Sequence, residues 1–251
     1  MDVTILVTSD LHGRPPRLIQ SPAPESFYFD NGDTLFSAAP GTQESGDAEK
    51  TAMNMISSLA SQGCRAAVPG NHEFDQGWDC FLRCAAASPF PWIAANLLNE
   101  RGGLLLPPEC RFTTRQGHRI RFIGLLDPAA CTHIPEADLG GCRILDPATC
   151  LAPLLNQVAP DELLIVSIHG GFRQGRQATS DEADHALLEA FPRIDLLITG
   201  HDHRAILTRQ GSSLALQPGA YGTTAAVIEV EFTTGRPQLK AWLEPLGALR
   251  G

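Results

Sequence analysis

The chain has 251 residues, 43% hydrophobic and 19% charged, with 28 acidic against 19 basic side chains and a formal net charge of −9. Such a chain suits one layered α/β domain with a sizeable core, and the composition excludes a disordered or membrane-spanning class. The acidic balance argues against a broad nucleic-acid surface, which needs clustered Lys and Arg. It leaves room for a small phosphorylated substrate in a local site.

The first predicted strand, Val3 to Val7, begins almost at once and ends before Asp10-Leu11-His12. No basic region, long apolar segment or cleavage site precedes it, so a cytoplasmic location is expected. The second strand, Phe27 to Phe29, ends before Asp30-Asn31-Gly32-Asp33. A helix over Asp47 to Ser61 follows, then a strand from Ala66 to Val68 and the block Gly70-Asn71-His72-Glu73. Helices are predicted over Gly77 to Ala87 and over Pro147 to Gln157. Leu163 to Ile168 ends in His169-Gly170-Gly171, a helix covers Ser180 to Ala190, and Ile194 to Ile198 ends before Gly200-His201-Asp202-His203. Short strands then follow at Ala205 to Arg209, Ser213 to Gln217, Ala225 to Phe232 and Gln238 to Trp242. They predict an antiparallel finish to a mainly parallel sheet. Segments Ser37 to Gly46 and Gly170 to Thr179 read as loops bordering the site. Seven cysteines, an odd number, suit free thiols, and Cys80 and Cys84 read as packing residues on one helix face.

Five apolar runs therefore end in polar blocks, and open α/β sheets gather ligand sites at the carboxyl ends of their strands. Residues two apart in extended backbone share a side, so Asp10 with His12, and His201 with His203, can each present a pair. Carboxylate, imidazole and amide oxygen together suit Mn, Zn or Fe rather than a thiolate-loving metal. No block contains cysteine.

These blocks, together with Gly70-Asn71-His72-Glu73-Phe74-Asp75-Gln76-Gly77, Pro91 to Asn96 and Gln217-Pro218-Gly219-Ala220-Tyr221-Gly222, resemble the calcineurin-like metallophosphoesterases. More narrowly, they resemble the catalytic domain of the 5′-nucleotidase and 2′,3′-cyclic phosphodiesterase family, over roughly the whole chain and most weakly between Asn99 and Asp161; Pro91 to Asn96 is similar to a strand of that family. The resemblance implies a four-layer sandwich, two mixed β-sheets packed together and flanked by helices. It implies a single catalytic domain over residues 1–251, without the carboxyl-terminal nucleotide-binding domain of nucleoside-acting relatives. It also implies two divalent metal ions, Mn being favoured over Zn or Fe. Asp10, His12, Asp33 and His203 would hold one, with Asp33 bridging to a second held by Asn71, His169 and His201. His72 would face the substrate, with Asp75 either orienting it or capping the helix that begins near Gln76. Asn71 would also touch substrate, and Arg173 and Arg176, with Arg14 and Arg204 nearby, are candidate phosphate contacts. Asp30 and Glu73 read as supporting or turn residues, Asp202 as structural, and Trp78 and Tyr221 as the nearest stacking candidates. Two departures stand out: nucleotidases often carry Gln where this chain has His203, and the stretch from His12 to Asp30 is short.

The implied reaction is hydrolysis of a small phosphate ester, a nucleotide-like phosphomonoester or cyclic phosphodiester. Attack would be in line by a metal-bridging hydroxide, whose parent water is brought to a pKa of about 7 by coordination. His72 would donate a proton to the leaving alkoxide, a role worth about 10²–10⁴-fold in rate. The alternatives are a DNA-processing nuclease of the same superfamily and a non-catalytic scaffold. Acidic charge weighs against the first, and retention of every proposed ligand against the second.

Overall fold

The computed structural model describes residues 2–18, 25–36, 45–132, 134, 139–156, 158–171 and 186–246. Arg173, Arg176, His133, His185 and most of the two border loops lie outside them.

The apolar runs form strands covered on both faces, which is why they read as continuous rather than alternating. β1, Val3–Thr8, is buried at all six positions. Val3, Ile5 and Val7 enter the cluster between the sheets, while Leu6 faces the helices. β2 follows at Ser26–Asp30, α1 at Ser45–Ser61, β3 at Cys64–Ala67 and α2 at Trp78–Ala87. Beyond them lie β4 (Leu97–Leu98), β5 (Glu109–Thr113), β6 (Arg119–Leu126) and β7 (Arg143–Ile144). α3, Pro147–Leu155, starts where Asp146 accepts a hydrogen bond from the Thr149 main chain and Pro147 supplies a ready-made first turn. β8 (Leu163–His169), α4 (Ala186–Ala190) and β9 (Leu196–Ile198) precede β10 (Ala205–Gln210), β11 (Ser213–Pro218), β12 (Thr224–Glu231) and β13 (Gln238–Pro245).

Two mixed sheets result, of five strands in the order β13-β12-β1-β2-β3 and six in the order β10-β11-β9-β8-β6-β5. Phe27 and Phe29 of the first sheet meet Phe112 and Phe122 of the second. Ala52, Met55, Ile56 and Leu59 of α1 cover the outer face of the first sheet, with Phe81 and Cys84 of α2. Leu151 of α3 and Leu187 and Leu188 of α4 cover Leu164, Val166 and Leu197 of the second. The four-layer sandwich is present as expected. All seven cysteines are free, with Cys80 and Cys84 buried in the helix-facing core. Among the described residues no helix is long and apolar enough to cross a membrane.

Three expectations need correction. The finish is not simply antiparallel, because β11 pairs parallel with β9 and antiparallel with β10, while β12 crosses back to lie antiparallel to β1. Both sheets are thereby completed from the end of the chain. Between Asn99 and Asp161, where no strand is predicted, lies β6, an eight-residue inner strand parallel to β8. Its partner β5 is a half-exposed edge strand with little apolar periodicity. Pro91 to Asn96 is not a strand but a crossing segment. Ile93 donates to Ala67, Ala94 to Pro107 and Ala95 to Gly124, so its hydrogen bonds are shared among neighbours rather than spent on one ladder.

Phe29 is fully buried and stacks on Phe122 at 4.2 Å and 10°. Phe29→Ala is therefore expected to cost about 3–5 kcal/mol, read as a lower urea midpoint at unchanged slope. A loss under about 1 kcal/mol would contradict its place at the centre of the inter-sheet core.

Candidate metal centre

The loops after β1, β2, β3, β8 and β9 converge at one rim. The β1 and β2 loops continue to pair beyond their strands: Asp10 N–H donates to Gly32 O at 2.8 Å and His12 N–H to Asp33 O at 2.9 Å. The backbone here is not extended. Asp10, His12, Asp33, His201 and His203 have φ of 54°, 47°, 52°, 78° and 61°, all left-handed. Such a conformation costs a non-glycine residue about 1–2 kcal/mol and collects at functional sites. The expected side-sharing by alternation therefore fails, and with it the pairing of His201 with His203.

Two donor groups form instead. Asp10, His12 and His203 make one, and Asp33, His169 and His201 the other; in each, the offered donor atoms lie within 4.8 Å of one another. In the first, Nε2 of His12 and Nε2 of His203 stand 3.0 Å apart, and His203 Nε2 is 3.6 Å from Asp10 Oδ1. In the second, His169 Nε2 is 3.2 Å from Asp33 Oδ2. Asn71 joins it through Oδ1, 2.9 Å from His201 Nδ1. The groups are linked, since His201 N–H donates to Asp10 Oδ1 at 2.9 Å.

Small residues allow this crowding. A Cβ on Gly70 would stand 2.2 Å from Asp33 Oδ1, and one on Gly200 would stand 2.3 Å from Ser9 Oγ. Glu73 is fully buried and accepts from the main chain of Gly70, Asp33, Thr34 and Leu35. Asp30 accepts from Thr8 Oγ1, Thr34 Oγ1 and Gly32 N–H. Both are the supporting residues their positions predict. Asn31 stood in a quoted block without a role, yet it joins the sheets. Its carbonyl accepts from His169 Nδ1 at 2.7 Å and its Oδ1 from Ser167 Oγ at 2.6 Å.

His72 sits at the edge, its ring 5.1 Å from that of His12. Its N–H donates to Asp33 Oδ1, and its Nδ1 is 2.8 Å from Asp75 Oδ2. Asp75 does not cap α2, whose N-cap is Gly77. Trp78 is buried against Phe74 and Phe81, so it is core rather than a platform. Tyr221, by contrast, lies beside His12 and His203, with the Arg14 guanidinium 4.8 Å over its ring. Arg204 is 3.8 Å from Asp202.

Burial, aided by Asp33, pushes the Asp10 carboxyl up to about 7. Burial also draws His12 down to about 4 and lowers His203. For His169 burial opposes charge, but Asp33 outweighs it and drives the imidazole up to about 10. Burial opposes ionisation of Asp33 too, yet His169 and His72 hold it well below the usual carboxylate range. The hydrogen bond that Asp75 accepts from its ring raises His72. Asp33 Oδ2 and His169 Nε2 are buried and face each other at 3.2 Å, and neither makes a hydrogen bond of good geometry among the described residues. Carboxylate and imidazole lone pairs in this arrangement fit divalent cations.

A family model described as calcineurin-like phosphoesterase matches residues 3–205. Over 155 residues the chain is 27% identical to a 5′-nucleotidase of Vibrio cholerae serotype O1, covering 59% of this chain and 28% of that protein. Over 183 residues it is 22% identical to Endonuclease YhcR of Bacillus subtilis, covering 67% of this chain and 15% of that protein. The chain thus spans no more than 28% of either relative. The solved structure of the calcineurin-like phosphoesterase YfkN from Bacillus subtilis shares the fold at a TM-score of 0.72 and 19% identity, covering 97% of this chain and 90% of that one. With a family match reaching from β1 to the start of β10, the chain belongs to the calcineurin-like phosphoesterase family.

Proposed function

We propose that this chain holds two divalent metal ions and hydrolyses a small phosphate ester, a nucleotide-like phosphomonoester or cyclic phosphodiester. The observation that carries the reading is the pair of adjoining donor groups, Asp10–His12–His203 and Asp33–His169–His201. Asp10, His12, Asp33 and His203 hold one ion, and Asp33, Asn71, His169 and His201 the other, with Mn favoured. Bound ions supply charge neutralisation at the phosphate and a water acidified toward neutral pH.

The chain's own residues do the rest. Asp33 ties the two sites together, its Oδ1 fixed by the His72 N–H and its Oδ2 turned toward His169. Asn31 accepts from His169 Nδ1, which leaves Nε2 as the donor atom. His72 stays outside both groups. Asp75 raises its pKa, which favours the protonated ring that serving the departing alkoxide requires. The similarity to a 5′-nucleotidase supports a nucleotide-like monoester and Asp75 points the same way, whereas Asp30-Asn31-Gly32-Asp33 resembles the cyclic phosphodiesterase branch. Similarity to an endonuclease keeps a nuclease as the second reading. The net charge of −9 weighs against it, and comparing single-stranded DNA with mononucleotide esters as substrates separates the two.

Titration with Mn is expected to saturate at two ions per chain, and chelation to abolish activity until Mn is restored. Saturation at one ion, or full activity after exhaustive chelation, would sink the reading. Asn71→Ala and His201→Ala should each weaken the second site before the first.

Loading should also release protons. Metal ligands must be deprotonated, whereas Asp10 is raised to about 7 and His169 to about 10 without a cation. Affinity is therefore expected to rise with pH through the neutral range. Calorimetric heats should depend on the ionisation enthalpy of the buffer, and heats independent of buffer would count against these ligands.

His72→Ala is expected to slow esters with poor alkoxide leaving groups by about 10²–10⁴-fold, while sparing nitrophenyl esters, whose leaving group needs little protonation. Metal content should stay at the wild-type level. Equal losses on both substrate kinds would instead mean that His72 positions substrate, and lost metal would make it a ligand.

A further inference from the structure

Tyr221 lies in the turn between β11 and β12 and touches every member of the Asp10–His12–His203 group. Its N–H donates to Asp10 O at 2.8 Å. Its ring is 5.3 Å from that of His12 and 5.0 Å from that of His203. Its hydroxyl oxygen is 3.1 Å from His203 Nδ1. The residue holds φ of 59°, in the left-handed region where glycine is at home, between Gly219 and Gly222 at 91° and 65°. A tyrosine kept in a strained turn is an outlier that calls for a use of its side chain.

The chemistry of imidazole supplies one. A neutral ring has one N–H and one lone pair, and a ligating histidine commonly donates its second nitrogen's proton to a nearby acceptor. That contact selects the tautomer and fixes the ring. His203 needs it more than His169 does, because its side chain is 32% exposed, whereas that of His169 is fully buried and already bonded to Asn31 O.

We propose that Tyr221 is the positioning residue of the Asp10–His12–His203 metal site. Its hydroxyl oxygen accepts the Nδ1–H of His203, so that Nε2, 3.0 Å from His12 Nε2, turns its lone pair to the cation. This rests on the two-metal reading above. The Arg14 guanidinium, 4.8 Å over the ring, helps to hold the tyrosine in place.

Calorimetric titration of the full chain with Mn tests the proposal, using wild type, Tyr221→Phe, His203→Ala and the double variant. Tyr221→Phe keeps the ring and is expected to weaken one site by about 10–100-fold while leaving the other unchanged. In the His203→Ala background the same change should add no further loss, since the hydroxyl's partner is gone. Two wild-type sites with an unchanged Tyr221→Phe overturn the tyrosine's role and leave the two-metal reading standing. A wild type that takes up no Mn overturns both. Equal weakening of both sites, the same loss in the His203→Ala background, or a lower thermal midpoint of metal-free Tyr221→Phe marks a general structural role and also overturns the proposal.

Discussion

The carboxylate of Glu73 is fully buried between the loops after β2 and β3, and it accepts main-chain hydrogen bonds from Gly70, Asp33, Thr34 and Leu35 at 2.6–3.0 Å. Bonds to an ionised acceptor are worth about 1.5–3 kcal/mol each, so four of them leave these loops little freedom. Burial and the nearby Asp33 push Glu73 up, and its main-chain donors restrain the rise. The spacing of Asp33, Asn71 and His72 follows from this one tie. Gly70 must be glycine beside it, because Asp33 occupies the space a Cβ would fill.

A second tie runs between the sheets. Asn31 belongs to the first sheet's rim, but its carbonyl and side chain bond to His169 and Ser167 of β8. Each sheet supplies part of each donor group, so the groups exist only once the sheets have packed. The inter-sheet phenylalanines and the site are therefore parts of one folding event. The site in turn opposes that event, because its left-handed turns add strain and its titratable groups are buried side by side. Under the proposed function a bound cation would offset part of this cost and couple metal affinity to stability.

Exposure distinguishes His72 from His169, though not from His203, whose side chain is 32% exposed. His169 is fully buried beside Asp33, whereas His72 and Asp75 have side chains 21% and 18% exposed. In the proposed function, His169 is shielded from water as a ligand and His72 keeps access to the leaving group. Three residues separate His72 from Asp75, and the intervening 3₁₀ turn aims the carboxylate at Nδ1.

Much of this was legible in the sequence because it depends on local order. Apolar runs covered on both faces marked β1, β2, β3, β8 and β9, and polar blocks at their ends marked the rim. The helix over Pro147 to Gln157 was legible as well, and Asp146 caps α3 where it begins. What stayed hidden depends on contacts between segments far apart in the chain. Spacing alone suggested that His201 and His203 act together, yet left-handed backbone sends them to different groups. The return of β12 to β1 and the parallel pairing of β11 with β9 are choices among strand neighbours that alternation cannot rank. Tyr221 and Asn31 were visible as letters in a motif, but their partners lie 18 and 138 residues away. Residue types and strand ends were thus fixed locally, while the grouping of ligands and their supports was decided by how two sheets pack, since only that packing sets distances between remote side chains.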